Sequence, residues 1–595
     1  MARSALTKIF LRPRNVKALY TRIQPHRQWQ RTASHRSPGV IDRIKVLNRP
    51  SETTEAVLLT GLILLTGAVI FYFEEDIFPQ LKTRSTAPLQ SYWLPPYRLS
   101  ENNIECAKVD FIDLLGNDGV DEDLGSRIAR SSTEWSPAPR GDLDRPCLIV
   151  YPRSTEDVSA IMKVCHRRKL PIIAFGGGTS LEGTLAAIHG EVCIDFRRMN
   201  KVVQLHENDM DVVVQPGIGY VDLNQMLSKS GLFFPPDPGP GAQIGGMISQ
   251  GCSGTSAYRY GTVKDWVLGL TVVLADGTVI KTRRRPKKSS AGYDLTRLFV
   301  GSEGTLGLVT EATLKLTNKP ENVRVAVAAF PTTAQAVEAA VKIVRKGLPL
   351  GAIELLDGPS MGAINNSGYC TKELSETPSL FLKFSGSEST VREQVKQVYS
   401  LAKETKCLSF QFGKNEEESD ALWQARKTML WSLMTLKRHP DDTFLGTDLA
   451  VPMSRLADII DITNQKLKES GLVGSCCGHV GDGNFHSAIF YSAAEKEKAE
   501  KLVLEVEQLA IEMDGTITGE HGIGLEKRDR LIDELGVESI DTMRQIKLAL
   551  DPLGLLNPEK VVRLTPETRF SPMEWVKKTF LPDSPPAASE QSSTP

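Results

Sequence analysis

Nine cysteines spread over 595 residues form no CxxC pair and no zinc-ribbon spacing, and only Cys476 and Cys477 are adjacent. That excludes a disulfide-stapled module and a structural zinc ribbon, and leaves mostly free thiols. None of the glycine-rich segments runs into Gly-Lys-Ser/Thr, so a Walker phosphate loop is missing. A CxxCH haem attachment is missing too, because Cys165-His166 has Met162 where the first cysteine would stand. With 41% hydrophobic and 24% charged residues and a single long apolar run, the chain is neither wholly disordered nor a polytopic membrane protein. At about 150 residues per domain it has room for roughly three to four domains.

The net charge of −1 conceals an asymmetry. Residues 1–50 hold nine Arg and three Lys against the single acid Asp42, a charge of +11, which leaves −12 for residues 51–595. A basic, acid-poor leader on an acidic body speaks against nucleic acid as the main partner and suits a mitochondrial presequence over 1–50. Ala56 to Phe73 is uncharged for 18 residues, long enough for a transmembrane helix, since spans take roughly 17–25. Its preceding flank is basic and its following flank acidic, which puts the N-terminus on the matrix side of the inner mitochondrial membrane and the body in the intermembrane space. Removal of the run by a later cleavage would instead release a soluble body.

Residues 74–140, rich in Pro, Ser and charge, read as a connector packed on the body. From 141 to 320, β-branched runs such as EVCIDF, DVVVQPG and LGLTVVLADGTVI alternate with glycine turns, and Ser154 is positioned to cap a helix reaching Lys169. A second mixed domain spans 321–565, with strands such as VRVAVAAF and LFLKFSG and a helix in AAEKEKAEKLVLEVEQLAIEM. The fold class is therefore α+β. Residues 566–595 are poor in apolar residues and read as a disordered tail.

Four glycine-rich segments follow in order: Phe175 to Gly183 (FGGGTSLEG), Pro235 to Gly239 (PPDPG), Ile244 to Thr262 (IGGMISQGCSGTSAYRYGT) and Gly301 to Gly307 (GSEGTLG). Backbone amides without Cβ atoms can approach a pyrophosphate closely, although any one such turn alone is more often structural. In this order the four resemble the flavin-binding domain of the vanillyl-alcohol oxidase and p-cresol methylhydroxylase superfamily. Within it the match is closest to the mitochondrial D-lactate dehydrogenase (cytochrome) family, over residues 145–562. The resemblance implies a two-subdomain FAD-binding domain with a C-terminal substrate (cap) domain. It further implies that Gly176, Gly177, Gly178, Thr179 and Ser180 cradle the FAD pyrophosphate. Pro236, Gly245, Gly246, Gly251, Ser253, Gly254, Tyr260 and Gly261 would then lie near the pyrophosphate and ring, with Glu303, Gly304 and Val309 nearby. Thr179 stands where relatives that tether their flavin have His, so the FAD is expected to be non-covalent.

The second domain carries Cys477-Gly478-His479-Val480-Gly481-Asp482-Gly483-Asn484-Phe485-His486 and Thr518-Gly519-Glu520-His521-Gly522. Imidazoles seven apart point to opposite sides of a straight strand, and Gly481 and Gly483 allow a turn that brings His479 and His486 together. With Glu520 they make a two-His, one-carboxylate set with open positions, as zinc or another divalent metal uses. The spacing alone also suits hydrogen-bonded histidines and an ordinary turn; in the resembling family these positions hold the metal. The resemblance further implies that Arg426 binds the substrate carboxylate, that His521 takes the hydroxyl proton as general base, and that Asn484 helps hold substrate. Relatives that oxidise D-2-hydroxyglutarate have a Lys shortly before the position of Asp448; here the stretch is Phe444-Leu445-Gly446-Thr447, which favours a small monocarboxylate. The expectation is oxidation of D-lactate to pyruvate, with cytochrome c as acceptor. The rivals are a D-2-hydroxyglutarate or broader D-2-hydroxy acid dehydrogenase, a metallohydrolase and a membrane-anchored binding module.

Overall fold

The computed structural model describes residues 94–564, apart from 133–135, 137–143 and 371–372. The presequence, the apolar run Ala56 to Phe73, the first part of the connector and the tail lie outside the described residues. Among the described residues no helix is long and apolar enough to cross a membrane.

The first domain holds two sheets. One comprises β1 (Val120–Asp121), β2 (Leu148–Val150), β3 (Ile172–Phe175) and β4 (Val192–Asp195) in the order β1-β2-β4-β3, with β2, β4 and β3 parallel. Every residue of β2 and β4 is buried, as expected where parallel strands are covered on both faces. The crossover from β2 to β3 is the helix Thr155–Arg168, whose first turn is capped by Ser154 accepting from the Asp157 amide. It ends where Lys169 turns left-handed at φ 54°. The helix Glu101–Leu115, inside the stretch read as a connector, buries Ala107, Phe111 and Leu115 in the same core. Their spacing of four matches one helix face, which neighbouring Pro and Ser obscure in the sequence.

The second sheet comprises β5 (Val202–His206), β6 (Asp211–Val214), β8 (Val267–Val273), β9 (Val279–Lys281) and β10 (Leu308–Lys315), in the order β5-β6-β10-β8-β9. Between them in the chain, β7 (Leu232–Phe233) pairs with β11 (Thr317–Asn318). All seven residues of β8 are buried, as suits a strand paired on both edges, here with β10 and β9.

The second domain is one broad antiparallel sheet of β12 (Arg324–Ala329), β13 (Ala352–Leu356), β14 (Ser379–Phe384), β15 (Ser409–Phe412), β16 (Thr443–Gly446), β17 (Leu449–Ala450), β18 (Val473–Gly478) and β19 (Asn484–Tyr491). Their order is β15-β12-β14-β13-β18-β19-β16, with β17 on β19. Alternate residues sort to opposite faces: Ala326 and Ala328 join a core with Ile459, Leu502 and Val506, while Val325 and Val327 join one with Ile364, Leu422 and Trp423. The end of this interval returns to the first domain. Ile172 donates to Leu555 O and Asn557 to Ile172 O, both at 2.8 Å, and Lys560 Nζ reaches Ala186 O at 2.8 Å. Residues from both domains thereby enclose one cavity.

Candidate active site

That cavity measures about 1900 Å³, well above the ~300–1,000 Å³ of ordinary ligand pockets, so it has room for a large cofactor and a substrate together. Its wall includes Gly176, Gly177, Gly178, Thr179 and Ser180, directly after β3, with Gly245, Gly246, Gly254, Glu303, Gly304 and Val309. The amides of Gly177, Gly178, Thr179 and Ser180 donate to no acceptor among the described residues, which makes a row of N–H groups suited to an anion. A Cβ on Gly177 would stand 2.2 Å from Gly241 O, so the first loop and the one after PPDPG meet at a distance only glycine permits.

Five of the positions expected near the cofactor, Pro236, Gly251, Ser253, Tyr260 and Gly261, do not border the cavity. Gly251, at φ 72°, ends the helix Ile244–Gln250. Tyr260 packs edge-on between Phe233 and Trp266, and the left-handed Gly261 leaves no space between itself and Asp265. Ser253 reaches the second domain: its Oγ donates to Glu520 Oε2 at 2.6 Å, beside the Gly254 amide at 2.9 Å.

His479, His486 and Glu520 converge, with one ligand atom from each lying within 4.8 Å of the others. Glu520 Oε1 is 2.9 Å from His479 Nε2 and 3.4 Å from His486 Nε2. The turn between the imidazoles depends on Gly483, at φ 80°. Gly481 keeps an ordinary φ, and its missing side chain makes room for the Tyr258 ring. Two imidazole nitrogens and a carboxylate oxygen in one largely buried place can hold a divalent metal with positions left open. Burial raises the Glu520 carboxyl, but the attraction of His479 outweighs it and holds Glu520 well below the usual range. Asp448, His486 and His521 form a second convergent set that shares His486.

His521 stacks on His486 with ring centroids 5.0 Å apart. Its Nδ1 lies 3.3 Å from Glu182 Oε1, and its amide donates to Asp448 Oδ2 at 2.7 Å. Burial pulls the His521 imidazole down, and Asp448 and Glu182 pull it up further, for a net rise. Arg426 closes the helix Glu416–Lys427 and borders the cavity. The sequence reading gave its fork to the substrate. In the structure Nε and Nη2 are taken by Glu354 Oε2, at 3.0 and 2.8 Å, which leaves Nη1 for a ligand. Asn484 does not border the cavity; its amide nitrogen donates to Asp448 Oδ1 and to Leu449 O, at 2.8 and 3.0 Å. It therefore holds Asp448.

Four further residues shape the site. Glu354, Asp448, Glu182 and Lys527 are all buried, and Lys527 Nζ pairs with Glu182 Oε1 at 3.0 Å. The available signal for Glu354 was a lone acid in the apolar strand AIELL, all five residues of which are buried. Glu303 spans the domains: left-handed at φ 51°, it accepts from the amides of Ile523 and Gly524, and burial pushes its carboxyl up to about 7.

Residues 146–283 match the family described as FAD binding domain, and residues 319–561 that of FAD linked oxidases, C-terminal domain. The fold is similar to that of p-cresol methylhydroxylase with substrate bound, at a TM-score of 0.66 and 17% identity, over 80% of this chain and 100% of that one. The two domain matches define the FAD-linked oxidase class. The mitochondrial D-lactate dehydrogenase (cytochrome) of Kluyveromyces lactis is 43% identical over 85% of this chain and 90% of its own length. That of Arabidopsis thaliana is 45% identical over 70% and 73% respectively. The chain belongs to the D-lactate dehydrogenase (cytochrome) family.

Proposed function

We propose that the protein oxidises D-lactate to pyruvate with FAD and passes the electrons to cytochrome c. The observation that carries this is the interlock of the two domains. Ser253 and Gly254 of the glycine loops hold Glu520, and Glu182 holds His521, so cofactor cradle and acid-base cluster share one cavity. Bound there, non-covalent FAD supplies the hydride acceptor, and a divalent metal, zinc for this donor set, supplies the Lewis acid that lowers the hydroxyl pKa.

The chain's own residues do the rest. Arg426 receives the substrate carboxylate through Nη1, with Glu354 fixing the guanidinium plane. His521 takes the hydroxyl proton, with Glu182 at Nδ1 selecting the tautomer that leaves Nε2 free to accept it. Phe444, Leu445, Gly446 and Thr447 line the substrate side without a cation, as suits a small monocarboxylate. Lys427 borders the same cavity, which keeps D-2-hydroxyglutarate as the second reading. In this reading the basic leader directs the chain to the mitochondrion, as the relatives' names support. The Ala56 to Phe73 run then anchors it in the inner membrane, body outward.

Anaerobic mixing of the purified protein with D-lactate, L-lactate and D-2-hydroxyglutarate in turn, followed by flavin absorbance, tests the substrate. Fast bleaching by D-lactate alone is expected. Bleaching mainly by D-2-hydroxyglutarate would overturn the monocarboxylate reading of Phe444 to Thr447, and no bleaching by any of the three would overturn the substrate class.

A further inference from the structure

Glu354 is one carboxylate with two partners of different purpose. From the middle of β13, 1% exposed, it places Oε1 at 2.9 Å from His479 Nδ1 and Oε2 at 2.8 Å from Arg426 Nη2. On one side it sets the tautomer of an imidazole whose Nε2 faces Glu520; on the other it takes two of the three guanidinium nitrogens.

We infer that Glu354 is a positioning residue that couples metal binding to capture of the substrate carboxylate. This rests on the proposed roles of His479 and Arg426. The two steps share one carboxylate. A metal on Nε2 requires the neutral imidazole with its proton on Nδ1, donated to Glu354. The same carboxylate must stand still for Arg426 to present Nη1. Ordering either partner therefore fixes Glu354 for the other, which is a coupling between two binding events and must act in both directions.

The isosteric change Glu354→Gln separates this from a merely structural role. An amide has one acceptor and one donor end. If its NH2 faces Arg426, two donors oppose each other and the clamp is lost. If its NH2 faces His479, the imidazole must accept at Nδ1 and carry its proton on Nε2, where a metal belongs. No orientation preserves both.

The test uses full-length protein that retains FAD, stripped of metal and titrated with Zn²⁺ against a chelator, with and without saturating propionate, a carboxylate lacking the hydroxyl. Wild type is expected to bind Zn²⁺ at least about fivefold tighter with propionate present. In Glu354→Gln that difference should vanish, with Zn²⁺ affinity about 10–100-fold lower and a raised KM for D-lactate. Glu354→Asp, which keeps the charge, should recover part of both. Arg426→Lys supplies a second route, because Arg426 is hydrogen-bonded to Glu354 rather than to a proposed metal ligand, and it should also abolish the effect of propionate on Zn²⁺. Persistence of that effect in Glu354→Gln or Arg426→Lys would overturn the inference. Failure of the wild type to oxidise D-lactate would overturn the functional reading instead, since the Zn²⁺ and propionate titrations need no turnover.

Discussion

Asp448 is the hidden support of the proposed catalytic loop, and Asp448→Asn measures how much the loop depends on it. The carboxylate is fully buried. Oδ2 accepts from the amides of Glu520 and His521 at 2.8 and 2.7 Å and from Thr518 Oγ1 at 3.1 Å, while Oδ1 accepts from Asn484 at 2.8 Å. Burial disfavours its charge, but His521, Lys527 and His486 outweigh that and keep the carboxyl far below its usual range. Asparagine can keep its carbonyl on the loop only by turning its NH2 toward the Asn484 amide, where donor meets donor. Each of the loop's bonds then falls from a charged to a neutral acceptor, worth about 1 kcal/mol apiece, or about 3 kcal/mol in all. Hydrogen exchange at the Glu520 and His521 amides should accelerate about a hundredfold, because about 1.4 kcal/mol is a factor of ten. Zn²⁺ affinity should fall while FAD content is retained. Exchange rates within a few-fold of wild type would show that the loop is held from elsewhere, and the assignment of Asp448 as its anchor would be refuted.

Asp357 caps the helix Gly358–Ser367 and accepts from the Cys476 amide, and burial pushes its carboxyl up to about 6. A raised carboxyl contributes stability that is present below the unfolded pKa and is lost as pH rises through the folded one. Between pH 4 and 7 the wild type should therefore lose about 2 kcal/mol relative to Asp357→Asn in urea unfolding; parallel pH profiles would contradict this. Gly177→Ala sets a Cβ 2.2 Å from Gly241 O and should cut FAD occupancy at least about tenfold, measured by absorbance ratio after desalting. His521→Ala should retain flavin and bound Zn²⁺ but lose about 10²–10⁴-fold in turnover; wild-type rates would remove His521 from the chemistry.

What was legible in the sequence was whatever a local constraint writes there. Ser154 stands where a helix needs a cap, the seven-residue run of β8 announces a strand buried on both faces, and Gly177 records a contact that excludes Cβ. The ligand motifs were legible as types for the same reason, but their second partners were not. Glu354 meets His479 across 125 residues and Ser253 meets Glu520 across 267, so no spacing encodes them. Two residues have partners that the motifs did not show. Asn484 sits in a loop-like GDGN beside His486, yet its pairing opposite Ala450 turns the amide onto Asp448. Arg426 has the right chemistry for a carboxylate, and a buried glutamate reaches it before any substrate does. Ser253, Glu182 and Glu303 in the first domain reach Glu520, His521 and Gly524 in the second. Each domain's sequence thus contains half of a geometry that exists only when both are folded against each other, and a chain cut near residue 320 should lose the His521 environment along with the cofactor cradle.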